Sequence, residues 1–296
     1  MKLVLRLLLV VLLFSLAART QEAATVTMVE GRLRLIRGTS VMQAAESMRL
    51  RAGDILESAD PGFAQLEFPG GAVVALGPAS HLLLLSDRAA RDGDKAATMV
   101  LLTGWLKGEL GPNAGAYRFT TPALAVTSRE GAVVLHAGTP SEIFVESGSA
   151  VVAAVKPDGN LGETTPAKAG QFISRRAGKS IATASRPDTN FVNAMPRYFQ
   201  DTLPSRYSRF AGRRPAEPRR EHEVTYPEIQ PWLTAGHVWR RGFVQRFEPR
   251  LNDAEFRKGV EAHLNEHPEW DRILHPEKYQ PKTPPASSPE SRQDRE

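Results

Sequence analysis

From about Thr25 to Ala184, glycines cut the chain into short apolar runs, and this spacing most restricts what the chain can fold into. They recur at Gly31, Gly38, Gly53, Gly62, Gly70, Gly77, Gly104, Gly111, Gly131, Gly138, Gly148, Gly159 and Gly170. A helix would need uninterrupted stretches with a 3.6-residue apolar period, and none fits between these breaks. Short strands do fit. Ala64, Leu66 and Phe68 alternate with Gln65 and Glu67, and Tyr117 and Phe119 with Arg118 and Thr120, as half-buried strands do. Val133-Val134-Leu135, Ile143-Phe144-Val145 and Val151-Val152-Ala153 predict fully buried strands. Phe68-Pro69-Gly70-Gly71-Ala72 and Glu146-Ser147-Gly148-Ser149-Ala150 predict hairpins, and the polar stretch Asp87–Lys95 an exposed loop. The fold class is mainly β, a multi-stranded sandwich or β-roll.

The character changes after Ser185. Phe191–Leu203 predicts a short helix interrupted by Pro196. Arg206, Arg209, Arg213, Arg214, Arg219 and Arg220 face only Glu217, and with Pro204, Pro215 and Pro218 they predict an exposed linker. Tyr226–Leu233 is apolar enough to pack. Leu251–Asn265 predicts an amphipathic helix capped by Asn252 or Asp253, with Leu251, Phe256, Val260 and Leu264 on one stripe and Pro268 stopping it. The expected organisation is therefore a leader at 1–18, a β domain at 25–184 and an Arg/Pro-rich linker with a short helix at 185–225. A smaller, partly helical aromatic segment at 226–280 and a disordered tail at 281–296 follow.

The leader follows from Lys2 and Arg6 ahead of the apolar run Leu7–Leu16, with Ser15 and Ala17 at the spacing of a signal-peptidase site. The run is shorter than the ~20 residues a bilayer core requires. Cleavage is expected after Ala17 or Ala18, and with no second apolar run the mature chain has no membrane span. The chain has no cysteine, which excludes disulfides, thiolate zinc sites and cysteine nucleophiles, so its stability must come from its core. Its net charge of +5 is concentrated in Arg206–Arg220, and the remainder is slightly acidic. One basic stretch on such a background does not make a nucleic-acid-binding domain.

Over roughly Thr25–Arg176 the chain resembles the FecR domain family. Val29-Glu30-Gly31 with Arg32–Arg37 is similar to the family's opening strand. Leu50-Arg51-Ala52-Gly53-Asp54-Ile55-Leu56-Glu57-Ser58 resembles its L-x-x-G-D-x-I-x-T signature, with serine for threonine. Ala64–Ala72, Leu102-Thr103-Gly104-Trp105-Leu106, Phe119–Val126 with Pro122, Glu146–Val151 and Lys168-Ala169-Gly170-Gln171 resemble later pieces in the same order. Gly53, Asp54, Gly70, Gly104, Pro122 and Gly170 are thus expected to make the fold rather than to carry chemistry. The stretch Thr127–Val134 departs from the family's v-R-G-T-x-F-x-V: Arg129 and Gly131 remain, separated by Glu130, while the threonine and phenylalanine do not. The founding regulators of the family carry a cytoplasmic anti-sigma segment before a membrane span. Nothing corresponding precedes the leader here, so transmembrane signalling is not expected to carry over.

Candidate chemistry is sparse. His263-Leu264-Asn265-Glu266-His267 spells the inverted zinc-protease motif H-x-x-E-H. Pro268 ends its helix, and the expected reading is an exposed polar helix end. Ser80-His81 lies in a strand, where neighbours point to opposite faces. Asp54 and Glu57 are expected to be structural, and Gly108–Gly115 lacks the lysine of a phosphate loop. Trp232, Trp239, Phe243 and Phe247 with Arg240, Arg241 and Arg246 form either a glycan-stacking surface or, as the favoured reading, a docking face for the C-terminal segment. The expectation is a non-enzymatic periplasmic interaction or scaffold module with no cofactor or metal, whose partner is an envelope protein. Arg129, Trp232, Trp239, Arg240 and Arg241 are its candidate contact residues. The alternative is a binder of peptidoglycan or another anionic glycan through the basic-aromatic region.

Overall fold

The computed structural model describes residues 22–85 and 96–279. The expected leader, Asp87–Lys95 loop and tail lie outside the described residues. The chain lays down β1 (Glu22–Glu30), β2 (Leu33–Arg37), β3 (Ser40–Gln43), β4 (Arg49–Arg51), β5 (Ile55–Ser58), β6 (Phe63–Glu67), β7 (Val73–Leu76) and β8 (His81–Leu85). It continues with β9 (Ala97–Leu110), β10 (Tyr117–Thr120), β11 (Leu124–Ala137), β12 (Ser141–Val155), β13 (Leu161–Lys168), β14 (Phe172–Arg175), β15 (Ala182–Ala184) and β16 (Arg219–Glu223). The helices are α1 (Thr189–Ala194), α2 (Tyr226–Leu233), α3 (His237–Arg240), α4 (Phe243–Phe247), α5 (Ala254–Ala262) and α6 (Asp271–Leu274). The protein is mainly β, with a smaller helical C-terminal part.

All sixteen strands belong to one mixed sheet folded into two layers. The first layer runs β16-β3-β2-β5-β8-β9-β10-β11-β12-β13, and the second β4-β1-β6-β7-β9-β11-β12-β14-β15. Among the described residues only β9 and β10 pair in parallel. The long strands β9, β11 and β12 serve both layers, bending at their glycines. At Gly131 and Gly148, paired across β11 and β12 with φ of 92° and 78°, the two backbones come so close that a Cβ on Gly131 would stand 2.3 Å from the Ser147 carbonyl oxygen. Only glycine fits such a contact at positive φ. The hairpin predicted at Glu146–Ala150 is therefore a bend inside the continuous strand β12. The predicted hairpin at Phe68–Ala72 does form, and Phe68 N–H donates to the Ala72 carbonyl at 2.9 Å.

Three apolar clusters explain how this sheet is covered. The main core lies between the layers and includes Leu35, Leu56, Leu82, Leu101, Leu66, Val74, Leu106 and Leu135. Neighbouring residues on the same strands face outward and are also apolar. Ile36, Ile55, Leu83 and Val100, on the outer face of the first layer, are covered by Val224–Leu274. Phe63, Ala75, Trp105 and Phe172, on the outer face of the second, are covered by Phe191, Phe199 and Leu203. The stretch after Ser185 thus packs on both outer faces of the sandwich. Burying each such large side chain contributes about 2 kcal/mol, so leaving either face bare would be costly.

This cover overturns the half-buried reading of β6. Gln65 and Glu67 are 1% and 3% exposed, because residues 203–207 lie across them. The Glu67 carboxylate accepts from Ser205 Oγ at 2.6 Å, Arg206 N–H at 2.6 Å and Tyr207 N–H at 3.1 Å. Lys107 Nζ, also buried, donates to the carbonyls of Phe199 and Asp201 at 2.9 and 3.0 Å and pairs with Glu146 at 2.7 Å. The arginine-rich stretch beyond it is exposed, but it does not hang free. Ala216 N–H donates to Ser47 Oγ at 3.0 Å, and Arg219–Glu223 adds a strand to β3.

Candidate functional site

The C-terminal helices form a cap on the first layer, and most of the candidate contact residues turn out to be buried inside it. Arg246 Nη1 donates to the Gly53 carbonyl at 2.6 Å, Nη2 to Ile36 at 2.9 Å and Nε to Gly38 at 2.8 Å. Its guanidinium also lies 4.8 Å from the Phe247 ring centroid. Burial lowers its pKa to about 10, against a partly compensating effect of Asp54. Asp54 holds the other side of the same turn: it accepts from Arg51 N–H at 2.8 Å and takes Arg37 on both oxygens.

Trp232 is wholly buried and Trp239 is 7% exposed. Arg240 Nη1 donates to the carbonyls of Leu233 and Glu266 at 2.6 and 2.8 Å, and its Nε meets Glu269 at 2.8 Å. These side chains pack within the cap, as the favoured docking reading has it, and Trp232 is closed off from the alternative, a glycan-stacking surface. Trp232 is spent on the first layer, which is the docking role, while Trp239 packs there and also borders an opening at the edge of the cap. Arg241 and Arg129 are exposed, Arg241 at the end of α3 and Arg129 on β11 beside the glycine bend. Nothing brings those two together with the buried residues into one site.

The H-x-x-E-H stretch is also corrected. Helix α5 ends at Ala262 rather than continuing to Asn265, and Asp253, one of its two predicted caps, accepts from Glu255 and Phe256 N–H. His267 lies beyond that end and is completely buried, not exposed. Its Nε2 is 3.0 Å from the Tyr226 hydroxyl, and His263 stacks on the Tyr226 ring at 5.3 Å. Burial lowers the pKa of His267 and, with Glu266, pushes Tyr226 up to about 12. Among the described residues no cluster of histidine and acidic side chains is arranged to hold a metal. Ser80 Oγ is bound to the backbone of Gly77 and Trp105, a structural role.

A row of polar side chains runs under helix α2. Arg34, Glu57, His81 and Thr103 are cross-strand neighbours on β2, β5, β8 and β9. Arg34 pairs with Glu57 at 3.3 Å and with Glu228 of α2, and His222 Nε2 meets Glu228 at 2.9 Å. Burial raises the pKa of Glu57, opposed by His81 and Arg34.

The row ends at Thr103, where sheet and cap part to leave a groove of about 400 Å³. Leu102, Thr103 and Pro122 line it from the sheet, Lys156 and Pro157 from the β12–β13 turn, and Pro231, Thr234, Ala235, Gly236 and Trp239 from the cap. The wall is held by Val238 N–H donating to Asp158 O at 2.9 Å, and by Gly236 lying against Gly159. Among the described residues Lys156 is the only charged one in the lining. The sequence does not show this groove, because its residues come from segments as far apart as Leu102 and Trp239. The available signals were Pro122, which resembles part of a family motif and is exposed in the turn between β10 and β11, and Trp239, already a candidate contact residue.

No family model and no curated protein sequence matches the chain. Among solved structures it is similar to two crystal structures of a candidate anti-sigma factor from Parabacteroides distasonis, at 1.65 and 2.50 Å resolution. Identity is 12% and 13%, the TM-score is 0.37 in both, and 47% of this chain is covered. The chain spans 63% and 62% of the length of those two solved chains.

Proposed function

We propose that this protein is a non-enzymatic, FecR-type interaction module of the cell envelope, exported to the periplasm, which holds an extended segment of a protein partner in the groove between sheet and cap. The observation that carries the reading is the groove lining. Three proline rings and the Trp239 indole give an apolar track, and Lys156 supplies a single cation for a carboxylate. Aromatic- and proline-lined grooves suit extended peptides, whose conformational entropy is already low. The FecR part rests on the order of the motif pieces: Leu50–Ser58 forms strand, turn and strand, and Ala64–Ala72 strand and hairpin. The periplasmic part rests on the leader-like residues 1–18.

Strand addition is a weaker route to a partner here. The outer strand β13 carries Pro166, which cannot donate, and the Lys168 N–H is taken by Gln171 Oε1 at 2.8 Å. The opposite edge, β16, is the charged run Arg219–Glu223.

A photo-cross-linking amino acid at Thr103 tests the proposal in intact cells, with Ser208 as an exposed control outside the groove. The expected result is a discrete adduct with one envelope protein from position 103 only, lost on Lys156→Glu. Equal labelling from both positions, or labelling indifferent to Lys156→Glu, contradicts the groove. Turnover of peptidoglycan or polysaccharide by the purified protein contradicts the non-enzymatic part.

A further inference from the structure

We propose that the arginine-bearing segment Ser205–Arg220 is a docking surface for an anionic phospholipid membrane, separate from the groove. A flexible basic linker would lose most of its electrostatic gain to ordering, but this segment is already ordered. Glu67 cradles its start, Phe210 is buried, Ser47 holds Ala216, and β3 pairs its end. What the body then presents is a fixed set of exposed guanidiniums: Arg209, Arg213, Arg214 and Arg219. Among the described residues none of these four makes an ion pair.

Two features select the chemistry of the partner. Every cation in the segment is arginine and none is lysine. Arginine's planar fork binds phosphate oxygens in pairs, which a lysine ammonium cannot do. Tyr207, 40% exposed in the same segment, is the amphipathic kind of ring that sits at a headgroup boundary. The segment holds a single carboxylate, Glu217, so an anionic surface approaching it meets little repulsion.

Four arginines brought together to an anionic leaflet predict a salt-sensitive affinity. The test is sedimentation of the purified protein with vesicles of phosphatidylethanolamine and phosphatidylglycerol, beside vesicles of phosphatidylcholine alone. The expected result is binding to the anionic vesicles only, weakened by salt. The combined variant Arg209→Ser, Arg213→Ser, Arg214→Ser, Arg219→Ser should bind at least about thirtyfold more weakly, the loss that two arginine contacts of about 1 kcal/mol each represent. Among the described residues the four side chains make no hydrogen bond or ion pair, so the variant's circular dichroism and its cross-link from Thr103 should be unchanged, which separates this proposal from the groove. Equal binding to both vesicle types, equal binding by the variant, or binding to soluble inorganic polyphosphate without binding to anionic vesicles overturns it.

Discussion

Arg246 of the C-terminal cap donates to the backbone carbonyl of Gly53 at 2.6 Å, and so joins the turn that most resembles a family signature to the part of the chain that resembles none. Gly53 has φ of 87°, and its own N–H donates to Leu84 at 2.7 Å. The turn is thus fixed by β8 on one side and by the cap on the other. The β body and the C-terminal chain share this contact, which adds to the apolar packing that holds the cap on the first layer.

Arg246→Ala should therefore destabilise the protein by about 1–2 kcal/mol, because three backbone carbonyls lose a charged donor in a partly exposed site. Arg246→Lys should recover only part of this, since an ammonium cannot reach Ile36, Gly38 and Gly53 in the geometry of the fork. Urea denaturation measures both, and protease nicking near residues 234–242 should rise in the alanine variant.

His267 predicts a pH dependence. Burial depresses its pKa below the ordinary 6.5, so the folded state favours the neutral ring. The unfolded chain takes up the proton first as the pH falls, and stability is lost on going below about 6.5 toward the lowered folded value. Above 6.5 the contribution is fully present. The difference in unfolding free energy between wild type and His267→Gln should be constant above that pH and shrink below it. A difference that grows on acidification would contradict this.

The bend shared by β11 and β12 predicts that Gly131→Ala and Gly148→Ala each cost about 2 kcal/mol or more, through positive φ and contact with the opposite backbone. Gly115→Ala is the control. Gly115 also has positive φ, at 82°, but a Cβ there meets nothing within 4 Å, so the cost should be nearer ~1 kcal/mol. Thermal unfolding of the three variants gives the comparison.

Phe199 carries the cover of the second layer. Phe199→Ala should cost about 3–5 kcal/mol, as deletion of a fully buried ring does. It should also loosen the Phe199 and Asp201 carbonyls that hold Lys107. Increased binding of a hydrophobic dye by the folded variant would show the uncovered Phe63 and Trp105.

Some of this was legible in the residues. Val133-Val134-Leu135 has no polar alternation, the mark of a strand covered on both faces, and it is buried throughout, whereas Val151, in another such run, is 49% exposed. The helix stripe of Phe256 and Val260, and its Asp253 cap, also follow from spacing alone. Gln65, Glu67 and Lys107 were not legible as buried, because their partners lie at residues 199–207 and are mostly backbone atoms, which leave no trace in a side-chain pattern. Gly148 looked like a hairpin because glycine and serine suit a strand bend as well as a turn. His267 looked exposed because polarity near a helix end usually is, and Tyr226, the partner that buries it, stands 41 positions earlier. Arg246 differs from Arg241 only in falling on the Phe243–Phe247 stripe, a weak signal that only the docked cap makes decisive.

Amide hydrogen exchange on the intact protein decides whether cap and sandwich are one folded unit with the groove between them. Ile229–Leu233 of α2 should be protected to the same free energy as Ile55–Glu57 of β5, and both should weaken together in Arg246→Ala. Exchange of α2 at the rate of an unfolded segment, while β5 stays protected, would contradict a shared unit and with it the groove.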